Sequence, residues 1–333
     1  MQEPQARIAA LLRDADDIFI TTHANPDGDA IGSLGAMGHV LATLGKRFCL
    51  CNVSGVPSHL SWVPLPGQVY TSFEELPFQP RLAIVLDCGD EKRPGEALRA
   101  PLAVLPSINI DHHQGNPLFG TVDNWVEPQR AATGEMVAEI ALALGQPLAG
   151  ALGECLYLAL VSDTGSFSFG NTSARVLSLA AEIVGNGLDV AALTERHDNQ
   201  WSFARMQLWG RLMQEMRLAF DGTVAISVIP DALIESCGAR RADLEGWASQ
   251  MRKVRGVRVS VMERGNGPEG TKVSLRSTGP DDVRAVAARF GGGGHRNAAG
   301  VEMPLPPEEA SRQVVAALGE QLGLDGDGAS LYV

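Results

Sequence analysis

The sequence of 333 residues is short of basic charge, aromatic side chains, pairable cysteines and long apolar runs. Its 27 Lys and Arg face 39 Asp and Glu, a formal net charge of -12. Sequence-independent binding to long nucleic acid draws most of its affinity from neutralised phosphates, so this balance argues against it. Aromatic residues make up 5% of the chain. One run joins them to methionine: Met206, Leu208, Trp209, Leu212, Met213 and Met216. It reads as helix packing rather than a base-stacking platform. The five cysteines, Cys49, Cys51, Cys88, Cys155 and Cys237, are odd in number and form no CxxC pair. That spacing offers no thiolate metal motif and suits reduced thiols in a cytoplasmic protein. No apolar stretch approaches the roughly 18 residues needed to span a membrane. The opening MQEPQARIAALLRDADD puts acids where a signal peptide has its apolar core.

The length suggests about two domains of roughly 150 residues. Charge is unevenly spread. Arg240 to Arg296 holds 12 Lys and Arg against 6 Asp and Glu, while the remainder holds 15 against 33. An acidic part joined to a basic part suits a small anionic substrate held between them. Strands are expected at Ile18–Thr21, Lys46–Val53, Leu82–Leu86 and Val104–Ile110. Helices are expected at Ala6–Leu12, Ala30–Leu44 (ending at Gly45), Thr133–Leu144, Gly153–Val161 and Ser173–Val184. The alternation predicts an α/β fold, with an N-terminal doubly wound, mainly parallel sheet over residues 1–192. Leu193–Phe220 reads as a long helical connector (193–220). Residues 221–333 read as a smaller α/β domain with a mixed sheet. Its expected elements are strand Thr223–Ile229, helix Ala242–Val254, a hairpin of Val257–Met262 and Lys272–Arg276 around GNGPEG, helix Asp281–Phe290 and helix Pro307–Leu322.

Acids and histidines gather at the ends of apolar runs. THANPDGDAIGS follows IFIT, VLDCGD follows LAIVL, DHHQGN follows VLPSINI, and SDTGSF follows CLYLALV. In parallel α/β sheets, ligands collect beyond the carboxyl ends of the strands. Singly, each segment is ordinary. Asn25-Pro26-Asp27-Gly28-Asp29 is turn chemistry and Asp29 a helix N-cap. Asp87 and Asp163 could cap loops, and His112 and His113 could be a buried pair. Four such ends in one sheet are not expected by chance. Together they offer oxygen and imidazole ligands without thiolates, which favours Mn2+ or Mg2+ over structural zinc. His23, Asp27 and Asp87 are assigned to one ion, and Asp29, Asp87, His112 and Asp163 to the other, with Asp87 bridging. Two such ions can activate water and stabilise the leaving oxygen of a phosphoester.

A second signal is GGGGHRNAAG, Gly291 to Gly300. Gly291, Gly292, Gly293 and Gly294 let backbone N–H groups approach a phosphate, and His295 could donate to it. The run reads as an ordered tight turn into a strand. Arg276 could hold a terminal phosphate as a bidentate fork. Arg252, Lys253, Arg255 and Arg258 read as a solvated basic face.

HANPDGDAIGS, DHHxxN, SDTGSF and VSLRS…FGGGGHRNAAG stand in the order seen in DHH-family phosphoesterases, which the chain resembles over nearly its whole length. It is similar to the subgroup with a DHH-associated C-terminal domain, which cleaves very short oligonucleotides and pAp. The resemblance implies two Mn2+ per chain, with Mg2+ or Co2+ as substitutes, on the six ligands above. It also implies that Asp111 orients the motif and that His113 lies close to the scissile phosphate. Arg276, Ser274, Asn116 and the Gly291–His295 loop are expected to bind substrate. His113 and His295 are candidates to stabilise the transferred group or protonate the leaving oxygen. The AATGE segment before the Thr133 helix departs from the serine-rich form expected there. Lacking further domains or a membrane segment, the chain is expected to act on short single-stranded oligonucleotides and pAp in the cytoplasm. No protein partner is evident, and a homodimer is left open. Rival activities at the same site are hydrolysis of cyclic di-AMP or pApA, RecJ-like exonuclease action, and polyphosphate or pyrophosphate hydrolysis. A non-catalytic RNA-binding module is the rival of a different class.

Overall fold

The apolar runs of the first 200 residues become the strands of one parallel sheet. A computed structural model describes residues 3–199, 201–265 and 270–324. The chain divides into two compact units between residues 200 and 201. The first contains α1 (Pro4–Asp14), β1 (Ile18–Thr21), α2 (Gly28–Thr43), β2 (Phe48–Cys51), β3 (Val69–Tyr70), β4 (Leu82–Leu86), α3 (Glu96–Val104), β5 (Ser107–Asp111) and β6 (Asp123–Val126). It continues with α4 (Thr133–Ala143), α5 (Gly150–Asp163), α6 (Ala174–Gly185) and α7 (Val190–Asp198). The strand order is β3-β2-β1-β4-β5-β6, with parallel neighbours throughout. The winding reverses between β1 and β4, and a crevice opens at such a switch point beyond the strand ends. Period-two alternation sorts the side chains. Ile18, Ile20, Leu50, Ile84, Ile108 and Ile110 join the large core with residues of α2, α4 and α5. Phe19, Cys49, Cys51 and Ala83 face the other side with Leu98 of α3.

The second unit contains α8 (Phe203–Glu215), β7 (Arg217–Ala219), β8 (Val224–Ile229), α9 (Asp231–Ser236), α10 (Trp247–Met251), β9 (Val259–Gly265) and β10 (Thr271–Ser277). It ends with α11 (Val283–Arg289), β11 (Gly293–His295), β12 (Ala298–Met303) and α12 (Pro307–Leu322). The order β11-β12-β10-β9-β8-β7 is mixed, because β8 and β9 are parallel and the other pairs antiparallel. Val261, Val273 and Leu275 pack under α11 and α12. Ala225 and Ile229 pack on the opposite face with Trp209, Trp247 and Met251.

Several boundaries differ from the sequence reading. The expected strand Val104–Ile110 begins only at Ser107, because Val104 ends a helix that was not anticipated. That helix contains Pro101, a residue that argues against helix in its interior. The mostly helical connector Leu193–Phe220 is resolved into parts: α7 ends at Asp198, Ser202 caps α8, and Arg217 starts a strand. The connector is thus shared between the units. The expected helix Ala242–Val254 is a 3-10 turn, Arg241–Leu244, and the short α10. Gly246, left-handed at φ 83°, divides them. Strands β3 and β6 were also missed, being short and weakly apolar. The β9–β10 pair is antiparallel as expected, and residues 266–269 of its turn lie outside the described residues. No single helix among the described residues is long and apolar enough to cross a membrane.

Candidate metal centre

Four segments deliver side chains to the β1/β4 end of the first sheet. His23 leaves β1 and Asp87 leaves β4. His112 and His113 leave β5, while Asp163 is the last residue of α5. Asp27 caps α2, accepting from the Ala30 N–H at 3.1 Å. Asp29 is therefore not the cap. It lies inside the first turn of α2, fully buried, and caps a different helix. Its oxygens accept from the Thr133 N–H at 2.7 Å, the Gly134 N–H at 2.9 Å and the Ser33 hydroxyl at 3.0 Å. These donors are the start of α4, where orphan N–H groups and the helix dipole favour an anion. Thr133 also donates its hydroxyl to Asp87 Oδ1 at 3.2 Å. The departure at AATGE is thus a working contact that the sequence reading left without a role.

Asp87 stands at the centre. Its Oδ2 lies 3.4 Å from His23 Nε2 and its Oδ1 3.4 Å from His112 Nε2. Asp27 Oδ1 lies 3.8 Å from His23 Nε2. On the other side, Asp29 Oδ2 is 3.7 Å and Asp163 Oδ2 3.2 Å from His112 Nε2. Three groups among the described residues could hold an ion: His23 with Asp27 and Asp87, Asp29 with His112 and Asp163, and Asp87 with His112 and His113. Asp87 turns Oδ2 to His23 of the first and Oδ1 to His112 of the second. Its backbone is left-handed at φ 56°. That conformation costs a non-glycine residue about 1–3 kcal/mol and persists where the surroundings demand it.

Both imidazoles are oriented by a second contact. His23 Nδ1 lies 2.9 Å from the Ala24 carbonyl and His112 Nδ1 3.2 Å from the Arg130 carbonyl. A carbonyl only accepts, so each Nδ1 donates and each Nε2 faces the acids. This second hydrogen bond is the usual orienting device of metal-binding histidine. His23 Nε2 is buried without a hydrogen-bond partner. In this state, burial disfavours charge on His23, but Asp27 and Asp87 outweigh it and push it up to about 10. His112 likewise goes up to about 12, with Asp163 and Asp87 overcoming burial. Asp87 is held well below the carboxylate range by His112 and His23 despite its burial. Burial, and then the charges of Asp87 and Asp163, push Asp29 well above it. A cluster of acids that keeps both imidazoles protonated fits divalent cations in their place.

His113 also lies near Asp87, with Nδ1 3.5 Å from Oδ1. That Nδ1 is 2.7 Å from Asp111 Oδ1 and donates to it, so it is not a free ligand atom. Asp111 is fully buried, and its Oδ2 accepts from the Asn116 amide at 2.7 Å. The same amide reaches the Cys88 carbonyl and Asn109 Oδ1, and Asn116 Oδ1 accepts from the Leu118 N–H. Asn116, expected to touch substrate, is spent on holding Asp111. Gly89 makes room for this group: a Cβ there would come 3.0 Å from that of His113. Gly28 is more constrained, since its Cβ would fall 1.8 Å from Ser162 Oγ, beside Asp163.

In the second unit, Ser274 and Arg276 project from one face of β10, which pairs with Gly300 and Ala298 of β12. Arg276 donates to the Leu275 carbonyl at 3.0 Å. Burial and the nearby charge of Arg252 lower its pKa. Arg252 is half-buried, with Nε buried and unpartnered, so it is not part of a solvated face. Among Gly291–Gly294, the last two and His295 form β11, which closes on β12 as an ordered turn. Gly294 is at φ 135°, and a Cβ there would strike the Ala298 carbonyl at 2.4 Å. The His295 side chain lies outside the described residues.

Residues 17–160 match the DHH family, N-terminal domain, and residues 221–323 the DHHA1 domain. The chain is 33% identical over 322 residues to the bifunctional oligoribonuclease and PAP phosphatase NrnA of Thermus thermophilus, covering 96% of this chain and 95% of that one. The crystal structure of an exopolyphosphatase-related protein from Bacteroides fragilis superposes with TM-score 0.88 at 26% identity, over 95% and 96% of the two chains. Exonuclease RecJ bound to manganese shares the fold at TM-score 0.53 and 16% identity, over 98% and 96%.

Proposed function

This chain belongs to the DHH family and is a metal-dependent phosphoesterase, and on that premise we propose that it hydrolyses very short oligonucleotides to 5′-mononucleotides and converts pAp to AMP. The observation that carries the reading is Asp87, which offers one oxygen to each of two ligand groups. His23, Asp27 and Asp87 would hold one Mn2+, and Asp29, Asp87, His112 and Asp163 a second. Bound there, the pair supplies an activated water and offsets charge on the phosphoryl group. The protein residues do the rest. Thr133 and the α4 N-terminus fix Asp29 and Asp87, while the Ala24 and Arg130 carbonyls aim the two imidazoles. Asp111 and Asn116 fix His113. Within the second unit, Arg276, Ser274 and the Gly291–His295 turn are the residues suited to hold phosphate and sugar.

The similarity to an oligoribonuclease and PAP phosphatase supports the substrate class. The excess of acid outside residues 240–296 supports a short substrate, since a long strand would find little basic surface to follow. Five free cysteines, four of them buried, support a reducing, cytoplasmic setting. The test is Mn2+-dependent turnover of pAp, RNA of two to five nucleotides, a 24-mer and cyclic di-AMP, side by side. The reading expects fast loss of pAp and the short RNAs with the 24-mer spared. Preference for cyclic di-AMP or for the 24-mer would replace the substrate assignment. Inactivity on all four, with metal bound, would return the chain to the binding-module class.

A further inference from the structure

Arg93 was assigned nothing by its sequence context, yet Arg93 Nη1 lies 2.8 Å from His113 Nε2. A guanidinium has five N–H donors and no acceptor. His113 Nε2 must therefore accept, and the ring proton sits on Nδ1, donated to Asp111 Oδ1 at 2.7 Å. The two contacts agree on one tautomer. In this arrangement His113 has no proton to offer a leaving oxygen, because its single N–H is spent on Asp111. The outermost donor of the chain is Arg93.

The chain of contacts is thus Asn116, Asp111, His113, Arg93. Asp111 is fully buried, whereas Arg93 is half-buried. The backbone of Arg93 is fixed independently of its side chain. Its carbonyl accepts from the Ala24 N–H at 2.7 Å, which ties it to the loop bearing His23 and Asp27. Its own N–H reaches Asp90 Oδ1 at 3.2 Å. The backbone of Arg93 therefore ties the β4 loop to the β1 loop, and its guanidinium reaches His113 in the β5 loop. A substrate phosphoryl group brought there lies beside the carboxylates of Asp27 and Asp163, the most exposed acids of the cluster. A preorganised cation that forks onto phosphoryl oxygens is the group this environment needs most.

Resting on the phosphoesterase reading, we infer that Arg93 is a further catalytic residue: held by the Asp111–His113 pair, it binds a non-bridging oxygen of the phosphoryl group undergoing transfer. His113 thereby acts largely through Arg93.

The test uses the full-length, Mn2+-loaded protein with pAp as substrate. Arg93→Ala lowers kcat/KM about 100-fold, with both the metal content and the thermal midpoint of wild type retained. Added guanidinium ion restores at least tenfold of that loss, and Arg93→Lys falls between Ala and wild type. Because the pair acts as one unit, Arg93→Ala combined with His113→Ala is no more than about threefold worse than the poorer single variant. Near-wild-type turnover in Arg93→Ala overturns the inference. So do multiplicative losses in the double variant, or absent guanidinium rescue in a folded, metal-loaded Arg93→Ala. A wild-type protein that turns over no phosphoester sinks the underlying reading instead, so the two failures are separable.

Discussion

Replacing Asp87 by asparagine keeps the side-chain shape and removes one negative charge at the point where both ligand groups meet. Asp87 Oδ2 and Oδ1 stand 3.4 Å from His23 Nε2 and His112 Nε2 respectively. One substitution therefore weakens both cation positions. Two unit charges 4 Å apart at an effective dielectric of about 20 interact by about 4 kcal/mol. Loss of that amount at even one position lowers turnover by about three orders of magnitude. The assay is Mn2+-dependent hydrolysis of pAp, with metal content by elemental analysis and folding by thermal melt. Asp87→Asn is expected to fold, to bind fewer than two ions and to lose at least about 10³-fold in kcat/KM. Asp123→Asn is the control. Asp123 pairs with Arg7 (2.8 Å between Nη2 and Oδ1) and not with the cluster, so activity should be unchanged. A folded Asp87→Asn enzyme within tenfold of wild type would refute the bridging assignment.

Metal affinity should rise with pH across neutrality. His23 and His112, pushed up to about 10 and about 12, are protonated in the metal-free protein at pH 7. Binding must release those protons, so overall affinity gains up to about tenfold per pH unit for each one. Calorimetry in buffers of different ionisation enthalpy reads the number directly, and zero release would contradict the ligand assignment. Glu263 on β9 is fully buried, and burial pushes its carboxyl up to about 8 from 4.5. A folded-state value above the unfolded one favours the acid form, so this contribution is full below about pH 4.5 and lost as pH rises through 8. Glu263→Gln should then raise the melting point of the second unit at pH 9 and leave it nearly unchanged at pH 5. Gly28→Ala places a methyl 1.8 Å from Ser162 Oγ. It should displace the end of α5 with Asp163 and cost at least about tenfold in turnover, at a few kcal/mol of overpacking strain. Equal activity in that variant would show that the α5 end is not held tightly.

Two of the strands that carry the site, β1 and β4, were legible because each is a short, continuous apolar run. IFIT and LAIVL mark β1 and β4 to the residue. The residues that gather at the candidate site were legible because acids and histidines cluster after those runs. What escaped depends on contacts distant in sequence. Asp29 reads as an N-cap for its own helix, but its anchors, Thr133 and Gly134, lie 104 and 105 residues away. Asn116 looks like a polar contact residue until Asp111 and Asn109 are seen to consume its amide. Arg93 sits in an ordinary charged loop, and only the 2.8 Å approach to His113 singles it out. Local propensity misled at α3, where tertiary packing of Leu98 outweighs Pro101. It misled again at 242–254, where Gly246 interrupts an apparently helical pattern.

The most direct test of the two-cation centre is anomalous diffraction from crystals grown with Mn2+. The account predicts two peaks flanking Asp87. One should be bounded by His23, Asp27 and Asp87 Oδ2, the other by Asp29, Asp87 Oδ1, His112 and Asp163. A single peak, or a pair that does not share Asp87, would contradict it.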